Sequence, residues 1–232
     1  MFAIGVLLAI YYLSKQKPIE PLKKNQIIDV ILILTFVGIV GARVFFVILN
    51  WSYYQNNWLE IFALWEGGLV VYGGIIAGLI GLIVFCRHQK VNFFALADLY
   101  FPALALAQAF GRVGCFLNGC CWGTISHAPW AVQFPYFKET VHPTQIYSSL
   151  FNLGLFLFLA ARYKKKTFDG EVVLLYFVFY SLGRFILEYF RGDNPHLLWN
   201  MTIAQLICMA LMFISALSYF LYFKWTSVER RA

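Results

Sequence analysis

Residues 27–50 read IIDVILILTFVGIVGARVFFVILN, a run of 24 residues in which only Asp29 and Arg43 are charged. As a helix it would span about 36 Å, more than the roughly 30 Å of hydrocarbon in a bilayer. Outward from it, similar apolar runs recur near 1–14, 67–86, 93–111, 143–161, 171–190 and 200–223. The 232 residues are 61% hydrophobic and 12% charged, against about 45–50% and about 25% in soluble domains. A water-soluble globule is excluded. The sequence predicts an all-α, polytopic integral membrane protein of about seven transmembrane helices, with residues 1–232 forming a single membrane domain. No length remains for a separate soluble domain, so any chemistry belongs to helix ends, short connections or polar residues within the spans.

The net charge of +7 would suggest nucleic acid for a soluble protein, but its distribution says otherwise. The connections at 15–26, 87–92, 162–170 and 224–232 carry four, two, four and three Lys or Arg, 13 of the 18 in the chain. They are every second connection, which is how orientation signals are spread along a membrane protein. The expected topology places the amino terminus outside and the carboxyl terminus in the cytoplasm, with no nucleic-acid site. The first run, FAIGVLLAIYYL, is short for a span, and it lacks the basic start and small-residue cleavage site of a signal peptide. It reads as a span shortened at its outer end.

The other five basic residues are Arg43, Arg112, Lys138, Arg184 and Arg191. By this topology the four arginines fall in the outer half of the membrane. An arginine there costs roughly 2.5–3.5 kcal/mol on insertion scales, so it faces the bundle interior with a partner. Glu188 at i+4 from Arg184 and Asp193 near Arg191 offer internal pairing. Four guanidiniums exceed those carboxylates, and the excess favours an anionic ligand.

Four stretches hold the polar candidates. FGRVGCFLNGCCWG at 110–123 places Gly111, Gly114, Gly119 and Gly123 around Arg112, whose fork of donors matches phosphate oxygens; this suits a phosphate-holding loop. EGGLVVYGGIIAG at 66–78 contains Tyr72, Gly73 and Gly74; close helix packing and an interfacial tyrosine are the plainer alternatives. HPTQIYSS at 142–149 offers His142, Gln145 and Tyr147 at the start of a span, with His142 a possible acid or base or a structurally satisfied histidine. RFILEYFR at 184–191 sets Arg184 and Glu188 on one helix face with Arg191 a turn beyond. Cys115, Cys120 and Cys121 have C-x4-C-C spacing, not the usual metal-binding C-x2-C, and only three soft ligands. Small packing residues are the leading reading, with a disulfide or thiol nucleophile open and no metal or cofactor expected.

With these motifs in order, the chain resembles the bacterial phosphatidylglycerol–prolipoprotein diacylglyceryl transferase family. The likeness runs through GAR at 41–43, GGLVVYGG, Asp98, GRxGxFxNGxxxG at 111–123, HPTQxY at 142–147, RFxxEYFR at 184–191 and MTIAQ at 201–205. It implies a multi-pass protein of the bacterial inner membrane with its active site toward the outer leaflet. The implied reaction moves the diacylglyceryl group of phosphatidylglycerol onto the lipobox cysteine thiol of a prolipoprotein signal peptide, forming a thioether and releasing glycerol phosphate. Arg112 would hold the lipid phosphate, Arg184 would assist the leaving phosphate, and Glu188 would orient Arg184. Asn118, Gly119 and Gly123 would shape the head-group pocket, with Arg43, Gly73, Gly74, Cys115, Cys120, His142, Gln145, Tyr147 and Arg191 as further substrate-binding candidates. Four positions depart from the family pattern: Tyr72 for its histidine, Cys115 for its asparagine, and Cys120 and Ser148 for acidic residues. The family's Tyr-Gly of the first span is absent, which suggests an upstream start or a divergent member. Tyr72 takes the histidine's place among the catalytic candidates, although a phenol of pKa near 10 is a poor base at neutral pH. Two other readings stay open: transfer of a different group from an anionic phospholipid through a cysteine thiolate, and non-catalytic lipid or anion binding or transport.

Overall fold

The computed structural model describes residues 1–135, 138–191, 196–198 and 201–229; side chains of Glu66, 196–198 and 225–229 lie outside that description, as does Asp193. In chain order the elements are α1 (Phe2–Ser14), α2 (Lys24–Leu49), the short α3 (Trp51–Tyr54), two 3-10 turns (Trp58–Phe62 and Leu64–Glu66), α4 (Val71–Gln89), α5 (Phe93–Leu117), α6 (Thr144–Tyr163), α7 (Glu171–Glu188), β1 (His196–Leu198), β2 (Met201–Thr202) and α8 (Ile203–Glu229). Each of the seven apolar runs has become a helix; the short α3, the two 3-10 turns and the small antiparallel pair β1–β2 are added between them. The chain is a polytopic helical membrane protein. By length and composition α2, α4, α5, α6 and residues 203–224 of α8 are long enough to cross a bilayer. The other two runs fall short: α1 has 13 residues, about 20 Å, and α7 carries Glu171, Arg184 and Glu188 within 18 residues.

Which solvent the helices meet follows from what they leave uncovered. Only 17% of the apolar stretches of α2 and of α4 and 11% of that of α8 is buried within the protein, leaving Phe36, Ile75, Ile80, Phe213 and Phe220 exposed. Such surface is tolerable only where lipid is the solvent.

The chain divides into two compact units, one comprising Met1–Leu13 with residues from Ala97 onward, the other Ser14–Leu96. In the second, α2 and α4 pack through glycines. A Cβ on Gly41 would lie 2.2 Å from that of Ala77, and one on Gly73 would lie 2.5 Å from the Gly41 carbonyl. The helix backbones touch, as small-residue membrane packing allows. In the first unit, Ala105 of α5, Leu155 and Leu159 of α6, and Val172 and Tyr176 of α7 form a buried cluster. Asp98 locks it: fully buried on α5, it accepts hydrogen bonds from the Gly170 and Val173 amides (2.8 and 3.1 Å) and the Lys166 ammonium (3.0 Å). A carboxylate on the first-turn amides of α7 satisfies orphan donors and complements the helix dipole. The register between α5 and α7 is thereby fixed.

Candidate active site

The site grows from the end of α5. Residues 110–117, which the sequence suggests as loop, continue this helix to Leu117; glycines at 111 and 114 weaken a helix but do not end it. The stop comes at Gly119, whose φ of +68° is the left-handed conformation that ends helices. Cys121 follows at φ +63°, unusual for a residue with a Cβ. Two side chains of the HPTQ stretch hold this turn: Thr144 Oγ1 donates to the Cys121 carbonyl at 2.9 Å and Gln145 Nε2 to the Cys120 carbonyl at 2.7 Å.

Gly123 ties the turn to α7. Its amide donates to the His142 carbonyl (2.9 Å) and the Thr124 amide to the Phe190 carbonyl (2.8 Å). A Cβ at 123 would meet Phe190 O, Thr144 Cγ2 and His142 Cβ at 2.5, 2.7 and 2.8 Å. Here glycine is required by close approach.

Arg112 comes from the last turns of α5 and Arg184 from those of α7; with Ser148, Phe151 and Asn152 of α6 and Tyr180 and Leu187 of α7 they line one recess. The recess encloses about 230 Å³, counting its open mouth. Arg184 Nη1 pairs with Glu188 Oε2 at 2.8 Å, and Arg191 Nε lies 4.0 Å from the same oxygen. The other Glu188 oxygen accepts from Thr202 Oγ1 at 2.9 Å. Thr202 and Gln205 form a capping box at the start of α8: the Thr202 amide donates to Gln205 Oε1 (3.0 Å) and the Gln205 amide to Thr202 Oγ1 (3.3 Å). Arg112 differs. Half-buried, it has no hydrogen-bond or ion-pair partner among the described residues.

Arg43 is the opposite case. Buried in the unit of residues 14–96, it gives all five N–H groups to carbonyls: Nε to Ile61, Nη1 to Gly67 and Gly68, and Nη2 to Glu60 and Ala63. A guanidinium has five donors, so none is left for a phosphate. Arg43 orders the 60–68 connection. Gly73, together with Gly74, packs against α2 in the same unit, a Cβ on Gly74 falling 3.1 Å from the Gly38 carbonyl; Tyr72 stands exposed in the first turn of α4.

His142 Nδ1 lies 3.1 Å from Tyr147 Oη, which accepts from Trp130 Nε1 at 2.7 Å, and its ring meets Phe190 edge-on at 5.4 Å. Asn118 ends the helix exposed, its amide donating to the Gly114 carbonyl. Cys115, Cys120 and Cys121 are free thiols with their sulfurs within 4.8 Å of one another. Burial and the Cys120 thiol raise the Cys121 pKa, while Arg191 and Arg112 pull it down. The sequence reading missed Phe151, Asn152 and Tyr180, which carry no motif, and gave no role to Leu187 within RFILEYFR or to Thr202 and Gln205 within MTIAQ, whose T-x-x-Q spacing is itself a helix-start signature.

Comparison with known proteins fits this arrangement. The family model for prolipoprotein diacylglyceryl transferase matches residues 1–222. Among similar curated proteins, the phosphatidylglycerol–prolipoprotein diacylglyceryl transferase of Finegoldia magna is 36% identical over 213 residues, covering 91% of this chain and 85% of that protein. The protein so named from Clostridioides difficile is 34% identical (90% and 83% covered), and that from Streptococcus agalactiae 35% (90% and 84%). With a match over nearly its full length and the motifs that build the recess, this chain belongs to the prolipoprotein diacylglyceryl transferase family.

Proposed function

We propose that the chain transfers the diacylglyceryl group of phosphatidylglycerol to the lipobox cysteine of prolipoproteins at the outer face of the bacterial inner membrane. The observation that carries the reading is the half-buried Arg112, without a hydrogen-bond or ion-pair partner among the described residues, lining the same recess as Arg184. In the reaction, the cysteine sulfur bonds to the terminal glycerol carbon as that carbon's bond to the phosphate oxygen breaks. The electron pair leaves on oxygen, the thiol proton goes to a base, and glycerol phosphate departs. Negative charge grows on the phosphate as the bond breaks, so guanidiniums held ready there stabilise the transition state more than the ground state.

Arg112, its donors untaken by any described residue, holds the phosphate. Arg184 takes up the growing charge, fixed by Glu188, which Thr202 fixes in turn. Ser148 and Asn152 add polar groups to the recess wall, and His142, Gln145, Tyr147, Gly119 and Gly123 shape it by holding the turn after α5. The alternation of basic connections supports an outward-facing recess: it puts the C-terminal ends of α5 and α7 and the N-terminal end of α6 on the outer side, and these are the ends that supply the recess.

Labelled phosphatidylglycerol and a lipobox peptide test the proposal. Arg112→Ala is expected to lower kcat by about 10²–10³, the range for losing one preorganised charge-stabilising donor; wild-type turnover would remove the assignment. Tyr72→Phe probes the hydroxyl separately, and unchanged kcat would exclude it as the proton acceptor.

A further inference from the structure

We propose that Cys115, Cys120 and Cys121 form a three-thiolate site for one soft d10 metal ion, of the zinc, cadmium or copper(I) kind. The C-x4-C-C spacing argues against this in the sequence, since neighbouring cysteines in extended chain point to opposite sides. The fold removes the objection. With Gly119 and Cys121 both left-handed, the chain turns on itself, and the Cys120 amide reaches back to the Cys115 carbonyl at 3.2 Å. All three sulfurs then lie within 4.8 Å of one another, and those of Cys120 and Cys121 are 3.6 Å apart.

A zinc–sulfur bond of about 2.3 Å puts two sulfurs of a tetrahedral site about 3.8 Å apart. One pair already has that separation, and the third sulfur is about 1 Å or less from it. The ligands are also held in place, because Gln145 and Thr144 pin the carbonyls of Cys120 and Cys121 from outside the turn. Preorganisation of this kind is what a metal site needs and what packing thiols do not. A left-handed non-glycine residue is strained, and such outliers gather at functional sites.

A further observation points to a ligand. Gln145 is 1% exposed, yet its Oε1 has no hydrogen-bond partner among the described residues. An ion with three protein ligands keeps a fourth position for water, which is the kind of donor this oxygen lacks. The metal site itself stands apart from the transferase reading.

The test is titration of the reduced, detergent-solubilised full chain with Cd²⁺ alone, followed by thiolate-to-cadmium charge-transfer absorbance. Saturation at one ion per chain with three-thiolate intensity is expected. Cys120→Ser should leave two-thiolate intensity and weaken binding at least about tenfold, since even outer-shell partners are worth 10–100-fold. The double variant Cys86→Ser/Cys208→Ser, altering two thiols buried elsewhere, should bind as wild type. Absence of the band, an unchanged band in Cys120→Ser, or its loss in the double variant overturns the proposal. The unaltered chain gives a second reading that does not depend on a variant folding. Saturating Cd²⁺ should block maleimide at all three cysteines together; continued labelling, or a disulfide among them that survives reductant, counts against the site.

Discussion

Arg43→Lys separates two roles that a sequence cannot tell apart. If Arg43 serves a ligand, lysine keeps the charge but loses the fork of donors that grips a phosphate, so binding weakens while the fold does not. If it serves the 60–68 connection, lysine offers three donors to the five carbonyls that now receive a hydrogen bond each. At least two carbonyls then lose their partner. Each buried polar group left so costs about 1–3 kcal/mol, giving about 2–6 kcal/mol for two. Gly67 is exposed while Ala63 is buried, so water recovers part of the loss, and about 2–4 kcal/mol is the working figure. The stacking of the guanidinium on Phe46 and Tyr54, 5.6 and 5.5 Å from the ring centres, is worth about 0.5–1 kcal/mol, and an ammonium partly retains it. Equilibrium unfolding in detergent, with limited proteolysis across 55–70, should show destabilisation and faster cleavage of the connection. The KM for phosphatidylglycerol in the protein that remains folded should be near wild type. An unchanged unfolding midpoint together with a KM raised about tenfold would refute the reasoning.

Thr202→Val should lower kcat and cost about 2.5–4 kcal/mol, the sum of a lost N-cap (about 1 kcal/mol) and a lost hydrogen bond to a buried carboxylate (about 1.5–3 kcal/mol); Thr202→Ser should restore both, and a Ser variant as slow as the Val one counts against the Glu188 link. Gly123→Ala forces a Cβ against a carbonyl and a neighbouring Cβ that cannot rotate away, so a loss of about 1–3 kcal/mol and of transfer activity is expected; near-normal stability would mean that the turn after α5 is looser than drawn. Lys166→Met should destabilise by about 2 kcal/mol, a buried-pair loss discounted for the partly exposed ammonium. Burial opposes the Lys166 charge, but Asp169 and Asp98 outweigh it and raise its pKa above 10.5. Stability from a raised lysine pKa is fully present below the unfolded value and lost only as pH rises through the folded one. The wild-type contribution should therefore be flat from about pH 6 to 9 and fall only in strong alkali, and a fall already near neutrality excludes this pair as its source.

The helices were legible because a bilayer imposes length and apolarity on anything crossing it, and runs such as 27–50 have few other readings. What the sequence blurred lay at their ends. Gly111 and Gly114 resemble loop residues, but one residue in a left-handed conformation, Gly119, decides where α5 stops. The clustering of the motifs was partly legible: glycines beside an arginine suggest backbone turning near an anion. Their mutual support was not, because the hydrogen bonds from Thr144 and Gln145 to the 120–121 carbonyls join positions more than 20 residues apart. MTIAQ reads as a motif only; its work, a capping box whose threonine also holds Glu188, needs the approach of α8 to the end of α7.

Arg43 and Arg112 show why counting cations in a sequence misleads where counting their donors does not. Both belong to helices of the membrane domain, and both add the same unit to the charge excess that favours an anion. Five carbonyls answer Arg43, and nothing among the described residues answers Arg112. A guanidinium kept partly out of bulk water without a partner is costly. Adding a carboxylate beside Arg112 would relieve that cost, yet it would also compete with a lipid phosphate for the same donors. Glu188 stays on the far partner of the pair, ordering Arg184 without touching Arg112. The arrangement gives up stability at one position and keeps order at the other, and that asymmetry is what the proposed phosphate site requires and a structural ion pair does not.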